Sequence, residues 1–248
     1  MIAESGPVVP AIEATGLGKR YGPVVAVESL DLRVTPGESV ALFGPNGAGK
    51  STLLQLCATL IRPTAGRLCL FGTNASSSDA SALRRRIGFL SHQTFLYEHL
   101  TGLENLLFYA RLYALPDPAS AALEPIRAAR LEHRRHDRVG SYSRGMQQRL
   151  AIARALMHRP DLLLLDEPFT GLDRPSCARL EATLEEERGA GRTFILATHD
   201  FGQGLRTADR VLVLVDGRLT LDRAASGLDP ASLEALMTAR SSPARATS

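Results

Sequence analysis

The chain has no tryptophan and only three cysteines in 248 residues. Cys57, Cys69 and Cys177 are odd in number, far apart and free of any Cys-x-x-Cys pair. That pattern excludes a disulfide framework and a zinc ribbon, and it fits buried thiols in a reducing compartment. The opening residues Met1-Ile2-Ala3-Glu4-Ser5-Gly6-Pro7 lack the basic and apolar regions of a secretory signal. No apolar run approaches the roughly 20 residues needed to span a bilayer; Leu162 to Leu165 is far too short. Nor is there a sustained basic tract, and the net charge is a mild +3. Arg84-Arg85-Arg86 and His133-Arg134-Arg135-His136 read as solvated helix faces or as neighbours of an anionic membrane surface. No nucleic-acid partner is expected. Internal repeats and heptads are absent too. A cytoplasmic protein follows, with membrane association only through a partner.

What is present is a chain that is 44% hydrophobic and long enough for one domain with a small subdomain. Strands are expected at 11–17, 29–34 and 39–43, separated by Lys19-Arg20-Tyr21-Gly22-Pro23 and by a turn at Pro36-Gly37. Further strands are expected at 67–71, 87–90, 162–165, 193–197 and 211–215. Asn74 to Asp79 reads as a polar loop capping a helix through Arg86. Thr101-Gly102-Leu103-Glu104 resembles a capping box and opens a mostly helical region, about 94–159. Its second helix covers about 119–132 and its third about 144–158. A helix at 175–188 and a short one at 233–238 follow. The fold class is α/β, with one domain over 11–240 and flexible tails at 1–10 and 241–248.

The stretch Gly44-Pro45-Asn46-Gly47-Ala48-Gly49-Lys50-Ser51-Thr52 satisfies G-x-x-x-x-G-K-[ST] at every fixed position. It lies between the apolar strand Ser39–Phe43 and a helical segment. Backbone N–H groups of such a loop converge on phosphate oxygens, and the helix dipole adds partial positive charge. Lys50 then reaches the β- and γ-phosphates, and Ser51 supplies a hydroxyl to Mg²⁺. The ligand is a nucleoside triphosphate. Leu162–Leu165 is a continuous apolar strand, the mark of a parallel strand covered on both faces, and it ends in Asp166-Glu167. Parallel sheets bind ligands at their carboxyl ends. Asp166 is placed to hold Mg²⁺, and Glu167 to orient or deprotonate an attacking water.

Downstream come Ser143-Arg144-Gly145-Met146-Gln147-Gln148-Arg149, then Asp166-Glu167-Pro168, Gly171-Leu172-Asp173 and Thr198-His199-Asp200, in that order. With the phosphate loop, this resembles the ATP-binding subunit of an ABC transporter over about 12–220. The resemblance implies a P-loop NTPase core with a β-rich N-terminal part and a small helical subdomain. It implies ATP with Mg²⁺, an integral-membrane permease as partner, a homodimer, and a place on the inner face of the cell membrane. It makes Tyr21 the aromatic that stacks on adenine and Gln93 a residue touching Mg²⁺. Ser143 and Gly145 would bind the γ-phosphate held by the opposite subunit. Asp173 would couple the two sites, and His199 would contact the γ-phosphate. The remaining histidines, His92 among them, match no motif. The signature departs from its commonest form, with Tyr142, Arg144 and Met146 where Leu, Gly and Gln are usual.

Gly88 to Tyr97, Leu100 to Leu106 and Phe108 to Tyr113 are similar to the haem exporter ATPases of cytochrome c maturation. The alternatives are ATPases exporting drugs, polysaccharides or other small molecules, and a soluble ABC ATPase of translation or DNA repair. The last usually carries two cassettes or a long insertion, and this chain has one phosphate loop. A permease is expected to dock around 93–106.

Overall fold

The computed structural model describes residues 8–77 and 80–241. Strand β1 (Ile12–Tyr21) and strand β2 (Val24–Val34) form one antiparallel hairpin closed at Gly22-Pro23. The sequence reading broke this hairpin at Lys19 to Pro23. Register shifts along β1 let the ribbon continue through polar residues whose outer face meets solvent. With β4 (Ala65–Leu70) and β5 (Thr73–Asn74) they make a sheet in the order β2-β1-β4-β5.

The second sheet runs β10-β9-β3-β8-β7-β6, through β3 (Ser39–Phe43), β6 (Ile87–Leu90), β7 (Leu162–Asp166), β8 (Thr193–Ala197), β9 (Arg210–Val215) and β10 (Arg218–Ala224). Five strands are parallel; β10 joins the edge antiparallel to β9. Residues of β3, β6, β7 and β8 are buried throughout, as continuous apolar runs covered on both faces require. One face packs on α1 (Lys50–Cys57) and the smaller sheet, through Leu42, Leu54, Leu164 and Ile195. The other face, through Leu163, Leu165 and Phe194, meets α5 (Arg144–Leu156) and α6 (Arg174–Gly189). Phe43 and Val213 meet α7 (Phe201–Thr207) and Leu233 of α8 (Pro230–Ser241).

Three helices form a separate cluster: α3 (Gly102–Leu112), α4 (Pro118–Ala128) and α5, joined through Leu106, Ile126 and Leu150. Thr101 and Glu104 make a full capping box at the start of α3. Helix α4 stops before Glu132, which lies in a 3-10 turn. Helix α2 (Ala80–Arg84) ends short of Arg86. At the ends, Pro10 is buried and α8 continues through Ser241, both placed in tails by sequence. The tails expected at 1–7 and 242–248, and the loop residues Ser78 and Asp79, lie outside the described residues.

Candidate active site

Strand β3 ends at Phe43 and the chain turns directly into the loop that precedes α1. A Cβ on Gly44 would stand 2.2 Å from the carbonyl oxygen of Leu214, and one on Gly49 would stand 2.1 Å from that of Ala26. Glycine is therefore what lets the loop pass beneath β2 and β9. Lys50 is buried at the first turn of α1. Its Nζ donates to the carbonyls of Gly44 at 2.6 Å and Pro45 at 3.1 Å. Burial holds its pKa below the ordinary lysine value, opposed by the charges of Glu167 and Asp166.

A cleft of about 260 Å³ opens over this loop. Asn46 to Thr52 form one wall, Asp166 and Glu167 another, and Val24, Val25 and Ala26 a third. Sheet order explains the meeting: β8 lies between β3 and β7, so loop and carboxylates emerge from strands flanking it. Asp166 closes β7, buried and in register with Ala197. The next residue, Glu167, has φ of +52, a left-handed conformation that costs a non-glycine residue about 1 kcal/mol. Its N–H donates to the Ala197 carbonyl at 2.9 Å, which holds the turn. Its carboxylate Oε2 then sits 2.8 Å from Nδ1 of His199, carried just past the end of β8. Strain placed at such a pivot aims one carboxylate at the cleft and at the histidine together.

Other site residues from the sequence lie apart from this cleft. Gln93 is exposed in the loop after β6, whose backbone is held by Ser91: the Gln93 N–H donates to Ser91 Oγ at 3.1 Å. Tyr21 is exposed at the tip of the hairpin with Lys19 Nζ 5.1 Å over its ring. Ser143 caps α5, accepting from the Met146 N–H at 3.3 Å, and Gly145 follows in the first turn. Asp173 caps α6, accepting from the Ser176 N–H at 2.9 Å, and hydrogen bonds from the Ser176 side chain and then its backbone lower the Asp173 pKa. Both helix starts carry exposed residues.

Three features were not foreseen. The β2 segment Val24 to Ala26 walls the cleft. Buried Gln148 of α5 donates through Nε2 to the Pro168 carbonyl at 2.9 Å, tying the helix of Ser143 to the loop after Glu167. His92 lies with Nδ1 3.9 Å from Asp166 Oδ2, beside the site and not merely on the surface. These are contacts across strands, and no local spacing announces them.

The donor set suits one kind of metal ion. Among the described residues no group of three or more His, Cys, Asp or Glu gathers. One buried carboxylate, Asp166, and the hydroxyl of Ser51 face the cleft. Mg²⁺ is usually held in this way, by one or two carboxylates, waters and the oxygens of a bound phosphate.

A central strand, a Gly-Lys-Ser loop at a helix start and an acidic pair two strands away define a P-loop nucleotide hydrolase. Residues 27–170 match the family model described as ABC transporter. The lipoprotein-releasing system ATP-binding protein LolD of Anaeromyxobacter dehalogenans is 41% identical over 225 residues, covering 86% of this chain and 94% of that protein. The Nod factor export ATP-binding protein I of Burkholderia thailandensis is 38% identical over 212 residues, covering 85% and 69%. Among solved structures, a dimeric ATP-binding cassette in a post-hydrolysis state, bound to ADP and phosphate, superposes with a TM-score of 0.81 at 28% identity, covering 88% of this chain and all of that one. The chain belongs to the ABC transporter family. It is an ATPase subunit working on ATP with Mg²⁺.

Proposed function

We propose that two copies of this chain pair with two-fold symmetry and hydrolyse ATP between them, driving export through a separate integral-membrane permease. The observation that carries this reading is the division of the site. Phosphate loop, Asp166, Glu167 and His199 gather in one region, while exposed Ser143 and half-buried Gly145 stand at another helix start. A helix N-terminus set apart from the cleft suits the γ-phosphate held by a second copy.

In the proposed cycle Lys50 leaves the Gly44 and Pro45 carbonyls for the β- and γ-phosphate oxygens. Backbone N–H groups from Gly47 to Thr52 hold the rest of the phosphate chain, and Tyr21 stacks on adenine. Ser51, Asp166 and Gln93 would hold Mg²⁺, which when bound neutralises phosphate charge. Glu167 accepts a proton from the attacking water. His199, hydrogen-bonded to Glu167, fixes that carboxylate and contacts the γ-phosphate. Asp173 links the two sites across the pair.

Export is the direction supported by the two named relatives, which serve lipoprotein release and Nod factor export. Haem rests only on the resemblance of the Gly88–Tyr97, Leu100–Leu106, Phe108–Tyr113 and Leu165–Asp173 segments, so it is one cargo to test among amphipathic ones. Among the described residues no helix is long and apolar enough to cross a membrane. The permease supplies the span, and the chain sits peripherally on the cytoplasmic face.

The test is to purify the chain with its membrane partner, reconstitute both in vesicles, and measure ATPase with haem, a lipoprotein and a lipo-oligosaccharide. The expected result is stimulation by one cargo. Turnover identical with and without the membrane partner contradicts the reading.

A further inference from the structure

Among the described residues that line the nucleotide cleft, Lys50 is the one cation, and Asp166 and Glu167 oppose it. A triphosphate brings several more negative charges, of which Mg²⁺ neutralises a part. Transfer of the γ-phosphoryl group spreads charge over its outer oxygens, and fixed positive groups aimed there lower the barrier. This cleft alone supplies few of them.

Arg144 is a free cation at the helix start that carries Ser143 and Gly145. It is the first residue of α5, is exposed, and stands where the commonest signature has glycine. Among the described residues it takes part in no ion pair and no side-chain hydrogen bond. The nearest acid in sequence along the neighbouring loop, Asp173, has its pKa lowered first by the Ser176 hydrogen bonds. The arginine charges acting on Asp173 are those of Arg149 and Arg179.

The stem of Arg144 is nonetheless held. A Cβ at Gly171 would lie 3.3 Å from Cγ, Cδ and Nε of Arg144, so the side chain crosses the bare face of that glycine. A Cβ on Gly145 would in turn lie 3.0 Å from the Gly171 carbonyl oxygen. Helix start and glycine loop form one ledge under the aliphatic stem. Contact along the stem restricts its rotamers, so less entropy is lost when the guanidinium takes a partner. Its forked N–H groups match two oxygens of one phosphate.

We propose that Arg144 is a catalytic residue acting across the pair, its guanidinium binding two γ-phosphoryl oxygens of the ATP held by the second copy. It rests on the two-fold pairing proposed above and adds a side-chain cation to the Ser143 hydroxyl and the Gly145 N–H. Water oxygen forms the new bond to the γ-phosphorus and gives its proton to Glu167. The bond to the bridging oxygen breaks, and ADP leaves with that electron pair. Arg144 exchanges no proton; it offsets the charge on the oxygens in flight. Each cleft then holds one cation of its own, Lys50, and one from the other copy.

The test uses the full chain with its permease. Arg144→Ala is expected to slow single-turnover ATP hydrolysis at least ~10-fold. Added guanidinium ion should restore part of that rate, which it would not do for a packing defect. Thermal melting of the isolated chain reports folding. Should Arg144→Ala melt early, Arg144→Gln keeps the stem over Gly171 and is expected to show the same loss. Copies carrying Arg144→Ala are then mixed with copies carrying Lys50→Ala, and doubly tagged heterodimers are isolated. If Arg144 serves the second copy, both lesions fall on one site, and ATPase rises to roughly half the wild-type rate. The parallel mixture of Lys50→Ala with Gly145→Asp reports on the pairing itself. Recovery there but not with Arg144→Ala overturns the role of Arg144 and leaves the pairing standing; recovery in neither contradicts both. Undiminished hydrolysis in Arg144→Ala, or a loss that guanidinium does not relieve, also overturns it.

Discussion

Gly49→Ala and Gly47→Ala differ by one methyl group each, yet they should behave very differently. At Gly47 an added Cβ has nothing within 4 Å, so the change costs only the left-handed strain of φ +81, about 1 kcal/mol. At Gly49 the same atom lands 2.1 Å from the Ala26 carbonyl oxygen. Ordinary contact begins at 3.4 Å, so β2 and the loop must part by 3.4 − 2.1 = 1.3 Å. Overpacking of that kind costs roughly 1–3 kcal/mol beyond the strain, so the total is about 3 kcal/mol. For a chain this long each kcal/mol moves Tm by roughly 2–4 °C. Calorimetry should therefore give a drop of roughly 6–12 °C for Gly49→Ala, and about 3 °C for Gly47→Ala. Because Ala26 walls the nucleotide cleft, Gly49→Ala should also lose ATP binding by equilibrium titration. Equal melting temperatures, with ATP affinity retained in both, would refute the close-approach argument.

Stability should also fall with acid, for a reason far from the site. Burial holds the pKa of His158 at about 4, with its Nε2 3.1 Å from the Ile87 carbonyl and its ring stacked on Tyr113. The unfolded chain takes up that proton near 6.5 and the folded one only near 4, so stability present above pH 6.5 is lost as pH falls between them. The loss is about 2 kcal/mol by pH 5; urea unfolding of His158→Gln should show a flatter acid limb, and an unchanged limb contradicts the assignment. A third prediction concerns pairing. Lys50→Ala and Gly145→Asp should each be nearly inactive with the permease, but mixed heterodimers should regain ATPase because both lesions fall on one site. No recovery, with heterodimers confirmed by tagged pull-down, counts against sharing across the pair.

The sequence made the centre of the molecule readable and its edges less so. Strands β3, β6, β7 and β8 are apolar on both faces, so composition alone marks them, and the loop and acidic pair sit at their ends. Strand β10 was missed because Arg218 to Ala224 is half-exposed and alternates without a buried run. Helix α7 was missed because Phe201-Gly202-Gln203-Gly204 is glycine-rich, although Asp200 caps it by accepting from the Gln203 N–H. The β1–β2 hairpin was cut short where its polar residues face solvent. At the site, Lys50, Asp166 and Glu167 were legible because each chemistry has a fixed local spacing. The Gln148–Pro168 bond, the His92–Asp166 approach and the bond from buried Arg154 to the Phe89 carbonyl arise only when distant strands and helices meet.

The central claim is that Glu167 is the base at a cleft built to hold ATP. It is tested most directly by single-turnover ATP hydrolysis in Glu167→Gln, with nucleotide occupancy measured in the same sample. The amide keeps the size of the side chain and removes the proton acceptor. ATP should stay bound while turnover falls at least ~100-fold. Turnover near wild type with ATP bound would contradict the account.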